Sequence, residues 1–300
     1  MTTLQPSPHA LVRRAVGLLP ACAGTWHVAA AQTERQTQLE AAPPRQCDAA
    51  VGSIVNDGPG YPGSGRRAVS LAPGLPLWPL ALCAGLLPLI ATLLAFALAV
   101  HLGLVPACNP FIDGCVSISR AARHDLPNHL FRALMLPAAT LQGLVWLLAA
   151  HWLRQSLGPS CGLRAMALLG SLAAVALVLY ASFLGTDGAV YRALRQYGTV
   201  VYFGFTCLCM LLLGGAVQRL AREQRVRLPQ ALVRLHVALA CTLVALGIGN
   251  ALVAALLGGE WKARIENVTE WWGALIFVLC FLALAALWWR VGLRINLRSH

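Results

Sequence analysis

Six long apolar runs occupy most of the sequence after residue 75, and their length constrains the fold more than any other feature. They cover approximately residues 77–104, 130–153, 163–184, 192–218, 231–257 and 268–290. A helix needs about 20 apolar residues to cross the roughly 30 Å hydrocarbon layer of a membrane. Because backbone polar groups cannot stay unpaired in lipid, runs of this length must be helical. The sequence therefore predicts an all-α polytopic membrane protein, with a bundle of six transmembrane helices over residues 75–292.

The composition supports a membrane protein and argues against a soluble enzyme. Hydrophobic residues make up 58% of the chain and charged residues 11%, whereas soluble domains have about 45–50% apolar and about 25% charged residues. The formal net charge of +12 would suggest nucleic-acid binding in a soluble domain. Here no basic run alternates with aromatic residues as a nucleic-acid stacking surface does. We therefore expect membrane lipids as partners and no nucleic acid, and the sequence indicates no oligomeric state.

Residues 1–70 differ in composition from the rest of the chain. They are rich in Pro, Gly, Ala, Gln and Ser and contain too little apolar sequence to form a core. We predict a disordered or poorly ordered N-terminal extension. Arg13 and Arg14, followed by the partly apolar residues 15–31, have the outline of a signal peptide, although Pro20 interrupts it. Cleavage of this segment and a start codon downstream of Met1 are the two alternatives.

The distribution of basic residues predicts how the bundle is oriented. Eleven Arg residues flank the helices on the side that holds both termini, and seven Arg and Lys residues lie on the other side. The positive-inside rule then places both termini in the cytoplasm, and we expect the plasma (inner) membrane. Of the seven acids after residue 70, all except Glu223 fall on the predicted outer side. That outer face therefore carries mixed charge, and we expect the functional site there.

The predicted outer loop between the first and second apolar runs is the most distinctive segment. It is polar, and it leads into the second helix, where an arginine near the membrane is costly unless it pairs with an acid or an anionic ligand. A snorkelling arginine at the headgroups is the alternative. The candidate ligand-binding residues of this segment have charged or hydroxyl side chains: Asp113, Ser117, Ser119, Arg120, His129 and Arg132.

Cys108 and Cys115 are the two cysteines that share this loop. Pro110 and Gly114 lie between them and favour a turn that brings the sulfur atoms together. In an oxidising compartment such a pair forms a disulfide, so the two are candidates for one. Most of the other cysteines lie inside the apolar runs as small apolar residues, and none has the spacing of a metal site.

The fourth and sixth helices supply the other candidates. Arg192 and Arg195 are three residues apart and share one helical face. Glu270 lies one turn inside the sixth helix, where a carboxylate needs a partner, so we expect an ion pair with Arg132, Arg192 or Arg195. Trp271 and Trp272 are typical of an aromatic belt at the membrane interface. The candidates in these helices are Arg192, Arg195, Asn267, Glu270 and Trp271.

Several segments together resemble a known family. These are the Pro-Phe-Ile-x-x-x-x-Ser-Ile-Ser loop at 110–119, the Arg-bearing start of the second helix, the aromatic fourth helix at 197–213, and Asn267-x-x-Glu270-Trp271. They are similar to the DRAM/FRAG/SFK-type family of six-helix membrane proteins. That family includes damage-regulated autophagy modulators, Golgi factors that remodel the lipid of GPI anchors, and the N-terminal part of a yeast cell-wall protein. The resemblance spans about 75–292 and implies a lipid-linked role.

The sequence therefore favours a non-enzymatic function, in which an extracytoplasmic polar pocket binds or senses an anionic lipid or lipid-linked ligand. One alternative is a lipid-modifying membrane enzyme that transfers or hydrolyses an acyl group, with Glu270, Asp113 or His129 as acid or base. A further alternative is a b-type haem protein. Its candidate ligands are the histidines at the helix ends, His101, His129, His151 and His236. We expect neither a cofactor nor a metal.

Overall fold

The computed structural model describes residues 74–224, 226–256 and 259–295. Two short strands and seven helices lie within these ranges. The predicted N-terminal extension, residues 1–70, lies outside the described residues. In chain order the elements are β1 (Leu75–Pro76), α1 (Trp78–His101), α2 (Ile118–Ala121), α3 (Asp125–Leu157), α4 (Cys161–Ser182), α5 (Ala189–Arg222), α6 (Gln230–Leu256), α7 (Gly259–Val291) and β2 (Arg294–Ile295).

Six of these helices, all except α2, are long and apolar enough to cross a membrane. They coincide with the six apolar runs, because only a helix satisfies the backbone of an apolar segment of that length in lipid. The predicted all-α, six-span fold is therefore confirmed, and the chain is a multi-pass integral membrane protein.

Three helices begin earlier than hydropathy predicted. The apolar runs start near residues 130, 192 and 268, whereas α3 begins at Asp125, α5 at Ala189 and α7 at Gly259. Hydropathy marks the part of a helix that lies in lipid, and a helix can continue beyond it with polar residues. In α7 this polar extension contains an ion pair between Lys262 and Glu266 at 3.9 Å, an i,i+4 spacing that stabilises an exposed helical turn.

The helices pack in a continuous bundle. α1 lies against α3 and α7, α4 lies between α3 and α5, and α6 lies against α7 and α5. Trp146 of α3 is buried against Gly170 of α4, where a Cβ atom would come within 2.3 Å of the indole Cγ. Close contact between these two helices therefore requires glycine at this position. By contrast, only 11% of the residues in the apolar part of α6 are buried inside the protein. Among the six spanning helices, α6 therefore has the fewest contacts with the rest of the bundle.

The two strands pair at one end of the bundle. Leu75 of β1 lies opposite Ile295 of β2 in an antiparallel ladder, so the beginning and the end of the described chain meet there. The opposite end contains the 102–117 linker, α2, the 183–188 linker and the starts of α3, α5 and α7, and we refer to it as the loop end. All the predicted ligand-binding candidates belong to segments at the loop end.

Candidate functional site

The 102–117 linker is closed by a disulfide between Cys108 and Cys115, whose Cα atoms are 6.7 Å apart. Inside this ring the side chains of Asn109 and Asp113 bond to the backbone. Asn109 Oδ1 accepts a hydrogen bond from the backbone N–H of Phe111 (3.1 Å), and Asp113 Oδ2 accepts one from the backbone N–H of Asn109 (2.9 Å). The candidate Asp113 is thus used to shape the loop.

Side chains of α7 attach this loop to the bundle through four hydrogen bonds. Each donor is a nitrogen of α7 and each acceptor is a backbone carbonyl of the loop, which would otherwise lack a partner close to the membrane. The motif that begins at Asn267 therefore positions the loop over the helix ends. The four bonds are Arg264 Nε to Asp113 O (3.0 Å), Asn267 Nδ2 to Gly114 O (2.8 Å), Trp271 Nε1 to Val116 O (2.9 Å) and Trp272 Nε1 to Phe111 O (3.1 Å).

Trp271 is not a belt residue, and that prediction was wrong. Its side chain is only 2% exposed, and its ring contacts Phe96 and Phe111 with ring centroids 5.5 and 5.4 Å apart. The loop closes over the indole, so the residue is part of the protein core. Trp272, on the adjacent face of the helix, is 44% exposed.

Glu270 faces the first turn of α2. Ser117 caps this short helix by accepting a hydrogen bond from the backbone N–H of Arg120 (3.2 Å). The Glu270 carboxylate lies close to the backbone N–H groups of Ile118 and Ser119, which favour its charged form. Peptide amides at a helix start are suitable partners for a carboxylate. α2 thus supplies the stabilisation that the sequence analysis assigned to an arginine.

The predicted ion pair between Glu270 and Arg132, Arg192 or Arg195 is therefore wrong. Among the described residues, the ion pairs join Arg219 to Glu223 and Lys262 to Glu266. The guanidinium of Arg195 instead donates to the carbonyls of Phe183 (3.1 Å) and Thr186 in the 183–188 linker.

The 183–188 linker packs closely on the segment that follows α2. Gly185 has φ +84°, and a Cβ there would come within 2.5 Å of the carbonyl oxygen of Arg123. The buried Asn128 side chain donates to the carbonyls of Ala122 (2.9 Å) and Leu184 (3.1 Å). These contacts hold Arg123 next to the start of α5.

Three arginines converge as a result. Arg123, Arg192 and Arg195 all line a cavity of about 190 Å³, which we name the arginine cavity. The same three line an adjoining cavity of about 410 Å³, together with His124 and Asp187. The other residues of the arginine cavity are Ser119, Tyr180, Leu184, Gln196 and Thr199.

A second, mostly apolar cavity of about 60 Å³ lies inside the bundle, and we name it the interior cavity. Glu270 and Trp271 line it from α7. Tyr180 lines both the interior cavity and the arginine cavity, and the charges of Glu270, Arg123 and Arg195 all act on its hydroxyl. Tyr180 thus lies between a carboxylate and two guanidinium groups.

Eight of the eleven predicted candidates are divided among three surroundings. Ser119, Arg192 and Arg195 line the arginine cavity, and Glu270 and Trp271 line the interior cavity. Asp113, Ser117 and Asn267 form loop contacts. The remaining three candidates line neither cavity, and their side chains form none of these loop contacts: Arg120, His129 and Arg132.

Sequence reasoning missed five residues of the arginine cavity: Arg123, Tyr180, Leu184, Gln196 and Thr199. Thr199 follows Arg192 and Arg195 at helical spacing, so the face shared by those arginines could have indicated it. Arg123 and Tyr180 reach the cavity because the two linkers pack together, and no local pattern marks such a contact.

The four histidines considered as haem ligands differ in burial. His236 is fully buried, whereas His101, His129 and His151 are exposed. The four therefore do not face one interior space. In the described part of the chain, no three His, Cys, Asp or Glu side chains are grouped as metal ligands would be.

The fold and site define a multi-pass α-helical membrane protein with a cationic cavity at one end. Comparison with protein-family models, with curated proteins and with solved structures finds no match. The resemblance to the DRAM/FRAG/SFK-type family remains a prediction.

Proposed function

We propose that the protein binds a lipid or lipid-linked ligand through an anionic group, held in the arginine cavity. The observation that carries this proposal is the convergence of Arg123, Arg192 and Arg195 on one cavity. Guanidinium groups match phosphate and carboxylate oxygens in charge and in geometry. In the part of the chain that the structure describes, none of the three forms an ion pair with a carboxylate.

The position of the cavity supports a lipid as the ligand. The cavity lies where α4 and α5, two membrane-spanning helices, are joined. Bilayer headgroups occupy the same level as the ends of spanning helices. An anionic headgroup therefore reaches the arginines while its acyl chains stay in the hydrocarbon layer. In the orientation predicted from the basic residues, this end is extracytoplasmic and the membrane is the plasma (inner) membrane.

The lipid-modifying enzyme has less support from the geometry. Of its three candidate acids and bases, only Glu270 lines a cavity at this end, while Asp113 is bonded within the disulfide loop. His129 Nδ1 lies 2.8 Å from the carbonyl oxygen of Asp125, on the outside of α3. No described hydrogen bond joins a serine to a histidine, as an activated nucleophile would require.

Native mass spectrometry of the full chain in mild detergent tests the proposal. The two probes have the same acyl chains, phosphatidic acid with a phosphate and diacylglycerol without one. We expect phosphatidic acid to bind and diacylglycerol to bind far more weakly. In the double variant Arg123→Gln/Arg192→Gln, phosphatidic acid should bind about tenfold or more weakly, since a hydrogen bond to a charged group contributes about 1.5–3 kcal/mol.

Arg132→Gln is the matched control, because Arg132 lies at the same end and lines neither cavity. It should leave binding unchanged. Arg195 is kept in all variants, since its donors hold the 183–188 linker. Equal binding of the two lipids, or wild-type affinity in the double variant, would show that the arginines do not hold an anionic group.

A further inference from the structure

A large groove separates α5 from α6 on the side of the bundle. Its volume is about 880 Å³, within the size range of sites that hold small organic ligands. It exists because α6 packs mainly on α7 and leaves part of α5 uncovered. In the apolar part of α6 only 11% of the residues are buried, against 33–56% in the other five spanning helices. The walls are apolar and include Val200, Leu208, Leu211, Ile248 and Phe277.

The groove opens on the surface that faces lipid. Val200 is 66% exposed, Leu208 46% and Ile248 57%, and all three belong to spanning helices. An acyl chain can therefore enter sideways from the bilayer without crossing a polar layer. Its methylene groups meet walls as apolar as the hydrocarbon that they leave.

One end of the groove is acidic. Glu266, Thr269 and Glu270 of α7 line it, together with Asn250 of α6. The Oδ1 atom of Asn250 is buried and has no hydrogen-bond partner within the described structure. An oxygen acceptor close to two carboxylates favours a ligand group that donates hydrogen bonds and carries positive charge.

Thr199 connects this acidic end to the arginine cavity. It lines the groove, the interior cavity and the arginine cavity. On α5 it follows Arg192 and Arg195 at seven and four residues, so all three side chains lie on one face of the helix. A ligand that extends past Thr199 thus meets carboxylates on one side and guanidinium groups on the other.

We infer that the ligand is a phospholipid whose headgroup contains an ammonium group as well as a phosphate, with an acyl chain in the groove. The inference rests on the proposed function, which assigns the phosphate to the arginine cavity. It adds that Glu270 binds the ammonium group, since Glu266 is paired with Lys262, and that α5, α6 and α7 hold the chain. A headgroup with only negative charge can bind to the arginines, but it has no positive group for the acidic end of the groove.

The test compares phosphatidylethanolamine with phosphatidylglycerol of identical chains, by native mass spectrometry of the full chain. Wild-type protein should prefer phosphatidylethanolamine by about tenfold, the effect of one charge-assisted hydrogen bond. Glu270→Gln should remove this preference and still bind phosphatidylglycerol. Gln keeps an oxygen that can accept from the amides of α2, and thermal unfolding checks that the variant is folded. Glu260→Gln, an exposed acid of the same helix outside the groove lining, should change nothing.

A second variant tests the position of the acyl chain. Gly247 lines the groove, and a Cβ there meets no atom within 4 Å, so we expect the ring in Gly247→Phe to extend into the groove. It should weaken binding of both phospholipids about tenfold or more. Unchanged binding in this variant, or an unchanged preference in Glu270→Gln, would overturn the inference.

If the arginine double variant weakens the binding of both lipids in the same experiment, the proposed function stands even when the inference fails. If that variant has no effect, the proposed function itself fails.

Discussion

Gln142 lies in the core of the bundle at 2% exposure, and its amide has a partner at each end. Its Nε2 donates to the carbonyl of Ala84 in α1 (3.1 Å), and its Oε1 accepts from the hydroxyl of Tyr202 in α5 (3.1 Å). The side chain of an α3 residue thus joins three helices. A buried polar group without a partner is costly, so each member of this network depends on the others.

Tyr202→Phe keeps the ring and removes the hydroxyl that Gln142 accepts from. We expect this variant to lose about 0.5–2 kcal/mol of stability, the range found for hydrogen bonds between membrane helices. Thermal or denaturant unfolding in detergent measures the loss. In a Gln142→Leu background the same change should have a smaller effect, since the two groups act together. Additive losses would show that the two side chains contribute independently.

At the scale of elements, the disulfide loop and α7 form one unit. Donors of α7 satisfy four backbone carbonyls of the loop. The segment from Asn267 to Trp272 therefore has a structural task, and it places α2 where the amides of Ile118 and Ser119 meet Glu270. The loop positions the site without lining the arginine cavity.

Trp271→Phe should destabilise this unit, because it leaves the carbonyl of Val116 without its buried donor. The expected loss is about 1–3 kcal/mol, measured by thermal unfolding in detergent. Trp272→Phe is the matched control, because it removes the same kind of bond, to Phe111, from an indole that is 44% exposed. Water can replace the donor there, so the loss should be smaller. Equal losses would mean that burial of the Trp271 indole is unimportant.

The sequence predicted the helices well and the contacts of the site only in part. Hydropathy located six spans because the bilayer imposes their length. It missed the polar start of α7 at residues 259–267, since that part of the helix lies outside the apolar run. Arg192 and Arg195 were found from their spacing on one face. The sequence could not predict the neighbours of the Glu270 carboxylate. They are backbone amides, and their position depends on how α2 folds.

For the molecule as a whole, the pairing of β1 with β2 fixes which segments share an end. Both ends of the described chain lie together, and the arginine cavity, the disulfide loop and the acidic end of the groove belong to the other end. The arginine-rich linker between α5 and α6 lies at the β1–β2 end. The orientation of the whole bundle therefore determines which compartment the site faces, and through the redox state of that compartment whether Cys108 and Cys115 are joined.

The excess of arginine at the β1–β2 end predicts that this end is cytoplasmic. Single cysteines at Glu260 and Arg227 test it, in a background in which all ten native cysteines are replaced by serine or alanine. Both positions are exposed, and they lie at opposite ends of the bundle. A membrane-impermeant thiol reagent added to intact cells should label Glu260→Cys and spare Arg227→Cys, and both should be labelled after the cells are opened. The reverse pattern on intact cells would place the arginine cavity in the cytoplasm. The disulfide would then lack an oxidising environment, and the ligand would have to come from the inner leaflet.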